Sequence, residues 1–235
     1  MFRAIKQQRR RRQLHSVGIR EELNWTKWSF GEGEGAWTIY PEQLDTTSVV
    51  YSFGVGTDIS FDCALIQSCG VTVHAFDPTP IARQWLAVQR FPKEFDFHAY
   101  GVAAFDGSQD FQPPRRAISS HYTPVKRYCQ YDNRKPAFQG DVRRVGTIMK
   151  ELGHRRIDLI KMDIEGGEYE VIDDMLNDHI PVAQLAVEFH HSYATIPFTY
   201  TVRAVQRLRE CNFRILHISP RSYEITFVNP AYDDA

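Results

Sequence analysis

A glycine pair in the first third of the chain constrains the fold more than any other feature. The stretch VVYSFGVGTDISFDCALIQSCGVTVHAFDP, residues 49–78, opens with Val49-Val50-Tyr51, an apolar run long enough for a buried strand and too short for a helix. Gly54-Val55-Gly56 breaks that run where missing Cβ atoms let the backbone turn sharply and come close to a ligand. Asp58 stands at an N-cap position, and Ile59, Cys63 and Ile66 recur at helical spacing, which predicts a helix stopped by Gly70. Val71 to Phe76 reads as a second strand, ending in Asp77-Pro78. Strand, glycine turn, helix, strand and acid make up half of a nucleotide-binding α/β unit. The acid, Asp77, comes 23 residues after Gly54, at a strand tip where a carboxylate can accept both hydroxyls of a ribose.

Glycine spacing separates two cofactor classes that share this layout. A dinucleotide fingerprint needs a third glycine at position 59, and the chain has Ile59 there. S-adenosylmethionine enzymes tolerate a looser turn, because no pyrophosphate has to rest on the helix N-terminus. A tight strand-to-helix turn that holds no ligand is the alternative that this spacing leaves open.

The rest of the composition excludes several classes. With 235 residues, 43% hydrophobic content and a net charge of −1, the chain has enough apolar material for a sizeable core and is neither disordered nor uniformly basic. No apolar window reaches the length of a membrane span, and no hydrophobic stretch behind Arg9 to Arg12 makes a secretory signal. Cys63, Cys69, Cys129 and Cys211 form no C-x-x-C pair, so reduced thiols in a reducing, cytoplasmic compartment are expected. Residues 1–35 read as a basic N-terminal extension, with Arg3, Lys6, Arg9 to Arg12 and Arg20 preceding the first acid, Glu21. Such an arm could bind RNA, but no aromatic is interleaved among the arginines, which favours a solvated amphipathic helix. Gly31 to Gly35 reads as a flexible hinge leading into a short strand or lid at Trp37 to Pro41.

Residues 36–235 form the remaining domain. A short helix from Ile81 to Gln89 and a strand from Phe95 to Tyr100 follow Asp77. Residues 105–140 have no sustained period and read as an insertion that forms a substrate lid or wall, with a hairpin turn at Asp106-Gly107. A short helix within Val142 to Leu152 then leads to a second informative stretch.

Ile157 to Gly167 reads as a strand turning into a helix at Glu168. Its alternation puts Leu159, Lys161, Asp163 and Glu165 on one side. The next strand, Val182 to His190, places Glu188 and His190 on one face at its tip. Charges at the carboxyl ends of central parallel strands mark a site, because ligands bind there in open α/β sheets. If the two strands are neighbours, Asp163, Glu165, Glu188 and His190 share one rim. A divalent metal or Lys161 could offset the repulsion of three carboxylates there. The three apolar βα units, with strands at Phe213 to Ile218 and Tyr223 to Val228, predict a doubly wound sheet. In that sheet the Ile157 strand lies between those from Val49 and Val182, and the last two strands form an antiparallel hairpin.

VVYSFGVGTDISFD (49–62), VHAFDPTP (73–80) and above all IDLIKMDIEGGEYEVI (157–172) resemble the FkbM family of S-adenosylmethionine-dependent methyltransferases. The likeness spans about residues 36–229. It implies a Rossmann-like, mostly parallel seven-stranded sheet and methyl transfer to a hydroxyl of a sugar, glycan or secondary metabolite. It also implies that Gly54 and Gly56 pass under the methionine part of the cofactor. Asp77 would then take the ribose hydroxyls, and Val102 and Ala103 would flank the adenine. The chain departs from the family pattern at Ser52, where an acid often begins the glycine motif, and at Asp58, where a third glycine is usual. Ser52 is thus expected to hold the cofactor's amino group less firmly, and Asp58 either compensates or caps the helix.

The chemistry requires an aligned acceptor oxygen and a group that takes its proton. His190, Asp163 and Glu188 are the catalytic candidates, and His190 has the ordinary pKa of a base near neutrality. His191 is expected to point away, into packing. Two other readings stand beside an O-methyltransferase. One is a binding module without turnover, which would bind the cofactor and release no product; the other is an RNA methyltransferase using the arginine arm, with salt-sensitive affinity.

Overall fold

A computed structural model describes residues 2–112, 122–124 and 137–232; Cys129 and the rest of the 105–140 insertion lie outside the described residues. A leading helix α1 (Phe2–Ser16) is followed by β1 (Trp28–Phe30), β2 (Trp37–Ile39), β3 (Val49–Phe53), α2 (Ser60–Cys69), β4 (Thr72–Phe76), α3 (Pro80–Leu86) and β5 (Phe95–His98). Next come β6 (Gly101–Val102), β7 (Gly107–Gln112), β8 (Thr123–Pro124), β9 (Phe138–Arg143), α4 (Val145–Leu152), β10 (Ile157–Met162) and α5 (Glu168–Asn177). The chain closes with β11 (Val182–Glu188), α6 (Phe198–Glu210), β12 (Arg214–Ile218) and β13 (Glu224–Val228).

Seven strands form the central sheet in the order β12-β13-β11-β10-β3-β4-β5. β10 pairs in parallel with β3 on one side and β11 on the other, while β13 runs antiparallel to both β11 and β12. Strand alternation divides the core in two. Val50, Val73, Ala75 and Leu159 pack with Phe61, Leu65 and Ile66 of α2. Tyr51, Phe53, Phe76, Ile160 and Met162 pack with Ile148 of α4, Ile172 of α5 and Val205 of α6. Helices therefore cover both faces, as a doubly wound sheet requires.

Local chemistry sets the boundaries. α2 begins at Ser60, later than an N-cap at Asp58 predicts; Asp58 Oδ1 accepts the Ser60 N–H at 2.9 Å from just outside the helix. Gly70 ends α2 with a φ of 69°. The hairpin expected at Asp106-Gly107 does not form, because β9 lies between β6 and β7 in a four-stranded sheet ordered β6-β9-β7-β8. Asp106 instead ties to the chain just after β9, accepting from Arg144 N–H and from Thr147 Oγ1 of α4 at 2.8 Å each. Gly31 to Gly35 is a compact turn between the paired β1 and β2, where the expectation was a hinge. Leu14 and Ile19 of the basic extension are buried in the main core. Cys63, Cys69 and Cys211 are free thiols, and no described helix is long and apolar enough to cross a membrane.

Candidate active site

Three strand ends build the site. Gly54 has a φ of 77°, its N–H donates to Phe76 O at 2.9 Å, and Asp163 N–H donates to Phe53 O at 3.0 Å. The ends of β3, β4 and β10 are thus tied together. A Cβ on Gly54 would sit 1.8 Å from Asp163 O, so only glycine fits there. Lys161 Nζ donates to Gly54 O at 2.6 Å from below, with its ammonium 5.5 Å from the Trp37 ring. The sequence reading put Lys161 among the acids of the rim. Alternation instead sends it to the α2 face, where it carries the glycine turn.

Ser52 is fully buried on that same face, paired in register with Lys161, and does not line the cavity. Its hydroxyl and Asp62 Oδ1 are enclosed without a hydrogen bond of sound geometry. Burial raises the Asp62 pKa, and Lys161 opposes the rise. Ser52, expected to hold the cofactor's amino group, thus stands behind the glycine turn and away from the cavity wall.

Beyond the turn, Gly56 (φ 54°) donates its N–H to Asp77 Oδ2 at 2.8 Å. Asp77 Oδ1 accepts from the Thr79 N–H at 2.8 Å and the Thr79 hydroxyl at 2.5 Å. A carboxylate offers about four acceptor positions, so about one remains for a further donor. A cavity of about 510 Å³ opens here, lined by Gly54, Gly56, Asp58, Asp77, Val102 and Ala103 on one side. Asp163, Glu165, Glu188, His190 and Tyr193 line the other side. Phe105, Gln109, Phe111, Tyr122 and Pro124 of the insertion form part of its wall.

This size lies within the roughly 300–1,000 Å³ of small-molecule sites. The charge suits a cationic ligand: Glu34, Asp58, Asp77, Asp163, Glu165, Glu170 and Glu188 line the cavity, against Arg221 and His190 among the described residues. S-adenosylmethionine carries a sulfonium and an ammonium beside its ribose, so these residues fit it.

His190 organises the acids opposite. Its Nε2 lies 3.6 Å from Asp163 Oδ1 and 3.5 Å from Glu165 Oε2. Nδ1 lies 3.3 Å from Glu168 Oε1, which also accepts the His190 backbone N–H at 2.9 Å. Burial alone would lower the His190 pKa, but Glu168, Asp163 and Glu165 outweigh it and raise it to about 10. Glu168 is fully buried; burial works to raise its pKa, and His190 reverses this so that the carboxyl ends below its usual value. A ring that already holds its proton does not meet the expectation of a base titrating near neutrality.

Glu188 turns from the other acids toward Arg221, whose Nη2 lies 2.5 Å from Oε1. Burial, then Asp163, raises its pKa, with His190 and Arg221 opposing. Of the four residues expected around a cation, Asp163, Glu165 and His190 bring ligand atoms within 4.8 Å of one another, and Glu188 is outside that group. Glu165 holds a left-handed φ of 54°, which costs roughly 1–2 kcal/mol in a residue with a Cβ. The Tyr193 hydroxyl donates to Glu165 Oε2. His191 faces away as expected, hydrogen-bonded to Thr201 Oγ1 at 3.0 Å.

Sequence reasoning missed Glu168, Tyr193, Arg221 and Glu34. Glu168 carries a signal, since it closes the acidic run after Asp163, but an acid in the first turn of a helix is ordinary and masks it. Arg221 reaches Glu188 from 33 residues away through the final hairpin turn, a pairing with no local signature.

The methyltransferase FkbM domain family matches residues 40–215 of the chain. The human protein named "Probable methyltransferase-like protein 24" is 23% identical over 180 residues, an alignment covering 72% of this chain and 42% of that protein. Its rat counterpart is 24% identical over the same 180-residue length, with the same coverage. The chain thus spans about 42% of the length of the curated relatives it matches. Among solved structures, a Methanococcus jannaschii fibrillarin pre-rRNA processing protein has a TM-score of 0.44 at 10% identity, covering 78% of this chain and 67% of that one. An Aeropyrum pernix fibrillarin with natively bound S-adenosyl-L-methionine has a TM-score of 0.42 at 9% identity, covering 90% and 84%. Structural likeness at this level carries no argument about the reaction.

Proposed function

The chain belongs to the methyltransferase FkbM domain family, and we propose that it transfers a methyl group from S-adenosylmethionine to a hydroxyl oxygen of a sugar, glycan or small metabolite. The observation that carries this reading is the continuity of one cavity from the Gly54–Gly56 turn and Asp77 to the carboxylates around His190. Gly54 and Gly56 would pass under the methionine part, Asp77 would accept a ribose hydroxyl, and Val102 and Ala103 would flank the adenine. When bound, the cofactor supplies a methyl group already activated by its sulfonium.

The protein's own residues then have to place an acceptor oxygen in line and remove its proton. The proton would pass from the acceptor hydroxyl to the carboxylate of Asp163, with Glu188 as the second candidate, as the methyl carbon exchanges its bond to sulfur for one to that oxygen and S-adenosylhomocysteine leaves. Asp163 is the more accessible of the two, with 26% of its side chain exposed against 15% for Glu188. His190, held by Glu168, is a positioning residue that keeps Asp163 and Glu165 in place. No step requires a metal at Asp163, Glu165 and His190.

The acid-rich cavity disfavours a polyanion. Part of the arginine arm is also turned inward: Arg10 stacks on Tyr223 at 4.2 Å and donates to Arg221 O at 3.4 Å. The test is to incubate the purified chain with S-adenosylmethionine and a panel of hydroxylated acceptors and to follow S-adenosylhomocysteine by mass spectrometry. Acceptor-dependent product supports the reading. Saturable cofactor binding with no product on any acceptor favours a binding module.

A further inference from the structure

A second convergence of ligand groups lies on the other half of the sheet. In register, His74 of β4 pairs with Asp96 of β5, and Phe76 pairs with His98. Alternation puts Val73, Ala75 and Phe95 into the core on the α2 side, so His74, Asp96 and His98 share the opposite face. Their ligand atoms nearly touch. His74 Nδ1 and His98 Nε2 each lie 3.1 Å from Asp96 Oδ2, and 3.5 Å from one another.

We infer that His74, Asp96 and His98 form a binding site for a divalent cation of the zinc class. At zinc–ligand distances of about 2.0–2.1 Å, the edges of a coordination tetrahedron are about 3.3–3.4 Å. The three observed separations lie within about 0.3 Å of that edge, so a cation can sit over the triangle with little movement of the side chains. Two imidazoles and one carboxylate are the donor set that suits zinc and its neighbours in the divalent series, and they select against calcium and magnesium.

The surroundings fix the rings. The His98 ring stacks on Phe76, with centroids 4.7 Å apart and planes 14° apart. The His154 ring lies 4.9 Å from that of His74 and is anchored by the Tyr51 hydroxyl at 2.8 Å from its Nδ1. Asp96 is half exposed and the histidines are largely covered, so the triangle opens to solvent on one side. None of the three lines the cavity of the candidate active site. Bound there, a cation would clamp the edge strand β5 to β4, one layer behind Phe76, which does line that cavity.

The test uses the untagged chain, stripped with a chelator and exchanged into metal-free buffer. It is titrated calorimetrically with ZnCl₂ and, in parallel, with CoCl₂ under visible absorption. One zinc per chain is expected at this site, with a rise in melting temperature that grows with zinc concentration. Bound cobalt should show the intense visible bands of four-coordinate N/O ligation. Asp96→Asn, which keeps the shape of the side chain, and His98→Ala should each weaken zinc at least about 10- to 100-fold, since altering even the partners of metal ligands costs that much. His190→Gln should leave this binding unchanged. Failure of the wild type to bind zinc, variants at 96 and 98 that bind as the wild type does, or loss of binding only in His190→Gln would each overturn the site.

Discussion

Glu168 grips His190 twice: one carboxylate oxygen accepts both the backbone N–H, at 2.9 Å, and the ring Nδ1–H, at 3.3 Å. The other oxygen takes the Gly166 N–H at 2.8 Å, so the acid at the start of α5 also sets the loop that carries Glu165. An ionised carboxylate can only accept, so Nδ1 keeps its proton and Nε2 faces Asp163 and Glu165. Replacing Glu168 with Gln removes the buried charge behind this arrangement. The His190 pKa, followed by NMR, should fall from about 10, and the fold should lose roughly 3–5 kcal/mol, as breaking a buried charged pair does. An unchanged titration would contradict the pairing.

The same pairing makes stability depend on pH at the alkaline end. The folded pKa of His190 is raised from 6.5 to about 10, so its contribution is complete below about pH 6.5 and is lost as pH rises through about 10. Denaturant unfolding of the wild type and His190→Gln should show a gap that is widest at or below pH 6.5 and has nearly closed above pH 10. A gap that widens with pH would reverse the sign and sink the assignment.

Under the glycine turn, Lys161→Met should leave Gly54 O without its charged donor and Asp62 without the nearby cation. The expected loss is about 1.5–3 kcal/mol of stability, with weaker cofactor binding because the turn is no longer held. Gly54→Ala should be worse, about 3 kcal/mol or more, since its Cβ would strike Asp163 O. If either variant melted as the wild type does, the turn would not depend on these contacts.

Transfer of the acceptor proton to Asp163, with Glu188 as the second candidate, predicts a division between binding and turnover. Asp163→Asn and Glu188→Gln should each lower the turnover rate by about 10²–10⁴-fold, the range for losing a general base. Cofactor affinity should fall far less than turnover, because five other acids still line the cavity. Unchanged turnover in both would remove the pair from the mechanism.

Much of this site is legible in the sequence because its signals are local. The Gly54–Gly56 turn, Asp77 at a strand tip and the acidic run after Met162 each follow from spacing within one βα unit. So does the neighbour order of β3, β10 and β11, which three apolar strands and two crossovers leave little freedom to change. Errors arose where a side chain's direction or a distant partner decides the outcome. Period-two alternation, followed through, sends Ser52 and Lys161 to the same inner face, whereas the reading placed one at the cofactor and the other in the rim. His190 has an ordinary pKa in isolation, and only the convergence of Glu168, Asp163 and Glu165 makes it a standing cation. Arg221 turns Glu188 aside from the other acids, and nothing near either residue announces the pair. The turn at Asp106-Gly107 has hairpin chemistry, but β9 arrives from about 30 residues later and takes the place beside β7.

The measurement that bears most directly on the account is calorimetric titration of the chain with S-adenosylmethionine and S-adenosylhomocysteine, beside Asp77→Asn. The substitution keeps the size of the side chain and removes its charge. One saturable site is predicted in the wild type, weakened in the variant by on the order of 1.5–3 kcal/mol, about 10- to 150-fold. A wild type that does not bind either compound, or an Asp77→Asn variant that binds them equally well, would contradict the assignment of this cavity.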